Sequence, residues 1–262
     1  MTQSSWRVLV DGDVSGARNM ARDVALLESV SEGRGAPALR LYGWSPPCLS
    51  LGRHQGDDAA DLDFCAEHGI DVIRRPTGGR ALLHHLELTY SLVAPLGEGP
   101  IPRHLQEAYR LICEPLVLAC RALGVDAELT SGEVNLQLPS PASTVPCFQA
   151  PAGGEVVVGG RKLIGSAMRS HGGAMLQHGA ILLDWDSELQ AGSMGLDDDR
   201  FLRPSITTFA ELLGTAPERD QLENALIKGF SDHLGVHFDE GELSAAEAAR
   251  EGELVPTFKV ES

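Results

Sequence analysis

Cys147 and Lys162 are the two side chains whose types and setting could do chemistry together. Cys147 follows Pro146 and precedes Pro151, at the end of Leu138-Pro-Ser-Pro-Ala-Ser-Thr-Val-Pro146, a stretch with neither helical nor strand period. It therefore reads as a thiol on a loop. Lys162 comes just past Gly159-Gly160, inside a run that reads as a hairpin. An ammonium beside a thiol stabilises the thiolate, the form that attacks a carbonyl carbon. The residues alone leave two readings for each. Cys147 is a nucleophile or an inert loop thiol, and Lys162 is a desolvated cation or a surface residue lying along apolar neighbours. The other thiols read as small core residues: Cys113 and Cys120 on one predicted helix, Cys65 on a short helix, Cys48 on a strand.

A second focus is Arg75-Pro-Thr-Gly-Gly-Arg80, a turn after a strand, with Arg74 beside it. Backbone N–H groups in such a turn can cradle an anion. The alternative is a plain tight turn, since the stretch matches neither the P-loop nor the dinucleotide fingerprint. Arg161, Lys162 and Arg169 follow the other Gly-Gly pair, so positive charge gathers at two turns of an acidic chain. Among nine histidines, His84-His85 is the adjacent pair, and neighbours on a strand face opposite ways. No HExxH or Cys/His ligand spacing occurs, and no metal site is expected. His178, next to Gly179, either lines a cleft or packs.

The elements that must position these residues follow from periodicity. Trp6–Val10 is a predicted strand, and Ser15 opens a helix to about Val30, with Ala17, Met20, Val24 and Leu27 on one face. Residues 38–44 and 48–51 read as strands separated by Ser45-Pro-Pro47. A helix is expected over 59–68, stopped by Gly69, then a strand over 71–75, the 76–79 turn, and a long strand region over 81–94. Residues 103–123 form the strongest helical pattern, with a kink expected at Pro115. Short strands near 127–129 and 134–138 precede the proline-rich loop. A hairpin over 155–167 and a strand over 175–185 follow. Helices at 206–213 and 218–234 and a polar tail complete the chain. The fold class is α+β, with a mixed, largely antiparallel sheet flanked by helices.

The length of 262 residues with 43% hydrophobic content supports a full core, read as a single domain over 1–262. A net charge of −16 excludes general nucleic-acid or anionic-membrane binding. Five cysteines without a CxxC pair, no signal-like N-terminus and no apolar run near the roughly 18 residues of a membrane span point to a reducing cytoplasm.

Two stretches carry a resemblance. Arg74-Arg-Pro-Thr-Gly-Gly-Arg-Ala-Leu-Leu-His84 with Glu87-Leu-Thr-Tyr-Ser91, and Arg161-Lys-Leu-Ile-Gly-Ser-Ala167 with Gln177-His-Gly-Ala-Ile-Leu-Leu183, resemble the two signatures of the biotin/lipoyl protein ligase and octanoyltransferase superfamily. Asn19–Leu27 and Arg40–Trp44 resemble its opening helix and strand, so the likeness runs from about Trp6 to Asp184. Arg80, where ATP-dependent ligases usually have a third glycine, and Cys-Phe-x-Ala-Pro at 147–151 are similar to the cysteine-dependent octanoyltransferases. The resemblance implies that Cys147 accepts the acyl group and Lys162 contacts its carbonyl. It assigns substrate binding to Arg75, Thr77, Gly78, Gly79, Arg80 and His84, and to Gly165, Ser166, Ala167, His178 and Gly179. It further implies octanoyl transfer from acyl carrier protein to a lysine of a lipoyl-accepting protein, such as the glycine-cleavage H protein or a 2-oxoacid dehydrogenase E2, without cofactor or metal. An ATP-dependent lipoate ligase and a non-catalytic acyl- or lipoyl-domain binder are the alternatives. His85, where an aspartate is common, and Gly153-Gly154, in place of bulkier residues, depart from the pattern.

Overall fold

The computed structural model describes residues 5–132 and 153–260. Cys147, the proline-rich stretch before it and the strand expected at 134–138 lie outside the described residues. In chain order the elements are β1 (Ser5–Val14), α1 (Gly16–Ser31), β2 (Ala38–Trp44), β3 (Cys48–Leu51), α2 (Leu62–Glu67), β4 (Asp71–Arg74), β5 (Leu82–His84), β6 (Glu87–Pro95), α3 (Leu105–Ala122), β7 (Glu128–Leu129), β8 (Val156–Val158), β9 (Arg161–His171), β10 (Ala174–Leu182), α4 (Ser187–Gly192), α5 (Phe209–Leu213), α6 (Arg219–Leu234), β11 (His237–Glu240) and α7 (Ala245–Leu254).

Among the described residues the main sheet runs β11-β1-β2-β6-β10-β9-β8-β7, and a small sheet runs β4-β3-β5. Among the named strands of the described residues, β1 with β11, β1 with β2 and β3 with β4 pair in parallel and the rest antiparallel, so the expected mixed, largely antiparallel α+β class holds. One face of the main sheet buries Leu41, Tyr90 and Leu92 against Ile112, Leu116 and Phe230 of α3 and α6. The other face takes α1, whose Leu26, Leu27 and Val30 meet Val93 and Leu176. Each such leucine contributes roughly 1.5–3 kcal/mol. The small sheet joins the same side of the molecule through Met20, Tyr42, Cys48 and Ile73. No helix among the described residues is long and apolar enough to cross a membrane.

Three expectations need correction. The long strand at 81–94 is two strands in different sheets, broken at Leu86, whose φ is +54°. Apolar residues on both sides of the break hid it. The left-handed geometry, costing about 1–2 kcal/mol for a side-chain-bearing residue, is held by Leu183 N and Asp184 N, which both donate to the Leu86 carbonyl. The helix expected from 206 begins at Phe209, because residue 206 instead bridges to Lys162 in parallel. The polar tail is structured: β11 extends the sheet edge, and α7 packs on α1. The groups that α7 itself buries are carboxylates. Glu247 accepts from Arg7 at 2.8 Å, and Glu251 accepts from Arg18 at 2.8 Å. Hydrophobic period cannot register a helix docked this way. Pro115 sits inside an unbroken α3.

Candidate active site

Alternation along a strand puts Arg40, Tyr42 and Trp44 of β2 on one face, and Glu87, Thr89 and Ser91 of β6 beside them. The register pairs Arg40 with Ser91 and Tyr42 with Thr89. Across β6, Ser91 pairs with His178 and Thr89 with Ala180 of β10, which in turn pair with Ala167 and Gly165 of β9. Two rows of side chains thus cross four strands on the face covered by α1. Small residues at Gly165, Ala167 and Ala180 leave room above the sheet. A cavity forms there, about 510 Å³ of space not filled by atoms, its open mouth included. Met20, Tyr42, Trp44 and Leu82 give it apolar walls.

The sequence-derived residues fall on this cavity unevenly. Arg75, Gly79 and His84 line it from the small-sheet side, and Gly165, Ser166, Ala167, His178 and Gly179 line it from the main sheet. Arg75 also braces its own turn: its guanidinium donates to the carbonyls of Ser50 at 2.9 Å, Gly78 at 2.8 Å and Arg80 at 2.7 Å. Thr77 and Gly78 stand behind the lining, and Arg80 is half-buried. The Ser166 hydroxyl bonds Tyr90 at 2.7 Å, toward the α3 side of the sheet. Gly179 is a close-approach position. A Cβ there would lie 2.6 Å from the Gly165 carbonyl and 2.7 Å from the Tyr90 ring. His85 is turned from the cavity lining toward Asp186, 3.9 Å away. Gly154, at φ +84°, donates to the Thr130 carbonyl in the turn that leads to Glu155.

Two carboxylate–imidazole–hydroxyl chains run through the lining. In one, Glu87 bonds His84 Nδ1 at 3.0 Å, and His84 Nε2 meets the Ser50 hydroxyl at 2.9 Å. Trp44 stacks on His84 at 3.8 Å and donates to Thr89, which donates to Glu87. Burial pushes the His84 imidazole below its ordinary range, against the pull of Glu87, and keeps it neutral. In the other, Asp23 bonds His178 Nδ1 at 3.2 Å, and His178 Nε2 lies 2.7 Å from the Thr77 hydroxyl. Asp23 is fully buried and also accepts from Arg40, Tyr42 and Ser91, each at 2.9 Å. Burial works to raise the Asp23 carboxyl, but His178 and Arg40 outweigh it and hold it below the usual range. Asp23, Arg40, Ser50, Glu87 and Trp44 were missed as site residues. Period-two runs of polar residues on β2 and β6 were the available signal.

Lys162 is 1% exposed and bonds Glu155 at 2.7 Å. That removes its surface reading. The β8–β9 pairing steps from Val156–Ile164 to Val157–Lys162, so Leu163 is an extra residue, a bulge. Leu163 and Ile164 consequently both enter the core under α3. The bulge turns Lys162 to the opposite face, that of Gly165 and Ala167, where the cavity lies. Lys162 is not itself a lining residue. Gly159 and Gly160 both have positive φ, the geometry the two-residue turn before it requires.

Residues 15–231 match the model of the lipoyl protein ligase A/B catalytic domain. The chain is 40% identical to octanoyltransferase LipM of Kyrpidia tusciae, covering 97% of this chain and 96% of that one. It is 37% identical to octanoyltransferase LipM of Bacillus subtilis, over 94% and 92%. Among solved structures, the bipartite lipoate protein ligase of Thermoplasma acidophilum, studied with its E2 lipoyl domain, is 26% identical. Its TM-score is 0.77, over 96% of this chain and 92% of that one.

Proposed function

The chain belongs to the lipoyl protein ligase A/B catalytic-domain family, and from that premise we propose how it works as an octanoyltransferase of protein lipoylation. Its acceptor is a lipoyl-domain protein. The donor is octanoyl acyl carrier protein, and acceptors include the glycine-cleavage H protein and 2-oxoacid dehydrogenase E2. Residues 1–262 work as one catalytic unit.

The Cys147 thiolate attacks the octanoyl thioester carbonyl, and the carrier thiol leaves with a proton. The octanoyl tail enters the apolar cavity between Met20, Tyr42, Trp44 and Leu82. Each methylene buried there contributes about 0.8 kcal/mol. An acceptor lysine amine then attacks the acyl-cysteine carbonyl, forming the amide and returning the thiol. Lys162 supports the thiolate in the first step and the oxyanion in both. Arg75 and Gly79 shape the small-sheet wall, with Thr77, Gly78 and Arg80 holding the turn behind it. The observation that carries this reading is Lys162: a buried ammonium, re-aimed by a bulge to the face of an apolar cavity.

The test is to mix the protein with octanoyl carrier protein, omit ATP and take intact masses. A gain of about 126 Da, one octanoyl for one hydrogen, that vanishes in Cys147→Ala is the expected result. Acceptor labelling only when ATP is supplied would point to a ligase instead. No adduct and no labelling under either condition would leave a binding protein.

A further inference from the structure

The turn at residues 76–79 belongs to the small sheet, running between β4 and β5, whereas His178 belongs to β10 of the main sheet. The Thr77–His178 hydrogen bond at 2.7 Å therefore ties the two sheets together beside the cavity they share. Thr77 is 1% exposed and His178 is buried, so water does not compete for this bond. Which way the bond runs depends on where the imidazole carries its proton. Asp23 answers that. Ionised, it can only accept, and Arg40, Tyr42 and Ser91 already donate to it. His178 Nδ1 must then be a donor as well, so its proton lies on Nδ1. With that one proton on the ring, Nε2 is left as an acceptor for the Thr77 hydroxyl.

We propose that Asp23 is a positioning residue that acts through His178: it fixes the Nδ1–H tautomer, Nε2 takes the Thr77 hydroxyl, and the turn is pinned to the main sheet across the acyl cavity. This rests on the reading of the cavity as the acyl site. Asp23 does not line the cavity; it acts there through the lining side chains it binds, the His178 ring and the Tyr42 hydroxyl. The turn is also tied within its own side: Arg53 N donates to the Thr77 carbonyl at 2.9 Å, and Arg75 donates to the Gly78 and Arg80 carbonyls. Loss of the Thr77 hydroxyl would leave the turn formed but its distance from β10 unset. That separates positioning from folding.

The experiment combines ¹⁵N-histidine NMR of the whole protein with the rate of acyl-enzyme formation from octanoyl carrier protein. The expected wild-type spectrum shows the His178 proton on Nδ1, with Nε2 as acceptor. Thr77→Val should acylate about tenfold more slowly, the loss of one buried hydrogen bond, and should move the Nε2 resonance. Thr77→Ser should recover both. Asp23→Asn should abolish the single tautomer. A wild-type proton on Nε2 overturns the proposal, and so does Thr77→Val acylating at the wild-type rate. If a variant fails to fold, the wild-type spectrum still decides. Failure of the wild type to acylate at all overturns the octanoyl-transfer mechanism instead, and the tautomer is then judged by NMR alone.

Discussion

A single inserted residue decides what Lys162 can do. Without Leu163 as a bulge, strict alternation would send the ammonium to the α3 face, into a core of Leu, Ile and Val. With it, the charge lies on the cavity face, bonded to Glu155. A buried ion pair contributes little net stability, but removing one member takes an opposite charge from beside the other. Lys162→Met should therefore lower stability by roughly 3 kcal/mol in denaturant melts. Lys162→Met combined with Glu155→Gln should regain most of that loss. On the proposed mechanism, acyl-enzyme formation should fall about 10²–10³-fold in both variants, the oxyanion having lost its cation whatever the stability. Its pH dependence should also move upward, since the thiol loses the charge that favours ionisation. A double variant that recovers the rate along with the stability would reduce Lys162 to a structural residue.

At the scale of elements, α7 is held by charge where most helices are held by hydrocarbon. Ser244 and Glu247 form a capping box at its start, and Glu247 is also gripped by Arg7 of β1. Ser244→Ala removes the cap and should cost about 1 kcal/mol by thermal melt. Burial works to raise the Glu247 carboxyl, but Arg7 and the Ser244 backbone N–H hold it at about 2. A depressed carboxyl stabilises fully above its unfolded pKa, near 4.3, and that contribution disappears as pH falls toward about 2. Glu247→Gln should flatten the acid limb of the stability curve below about pH 4.5, relative to the parent protein. A parallel curve would mean that α7 is anchored otherwise. The tail was illegible in the sequence for this reason: Glu247 and Glu251 look like solvated residues until Arg7, Arg18 and Arg22 arrive from far along the chain.

For the whole molecule, several groups, from buried Asp23 and His84 to the more exposed Glu211, respond to acid in the same direction. Asp11, Asp23 and Glu211 are held below the usual carboxylate range, burial opposing and arginine or histidine partners prevailing. Burial holds His84 below the ordinary imidazole range. All four bind protons less readily folded than unfolded, so each loses stabilising effect as pH falls. Unfolding midpoints should decline gently below about pH 6.5, from His84, and steeply below about pH 4, from the carboxylates. A midpoint constant from pH 7 to 5 would mean that His84 is not buried as a neutral ring. By itself, the sequence determined most of the strands and helices up to α6, the glycine turns and the two signature stretches, because period and backbone freedom are local properties. It also supplied the polar alternation of Arg40, Tyr42 and Trp44, though not its purpose. Tertiary structure alone decided which residues became neighbours: Asp23 beneath His178, Thr77 beyond it, and Lys162 turned by a bulge. Those contacts join separate elements through register and burial, and no local pattern encodes a distance across two sheets.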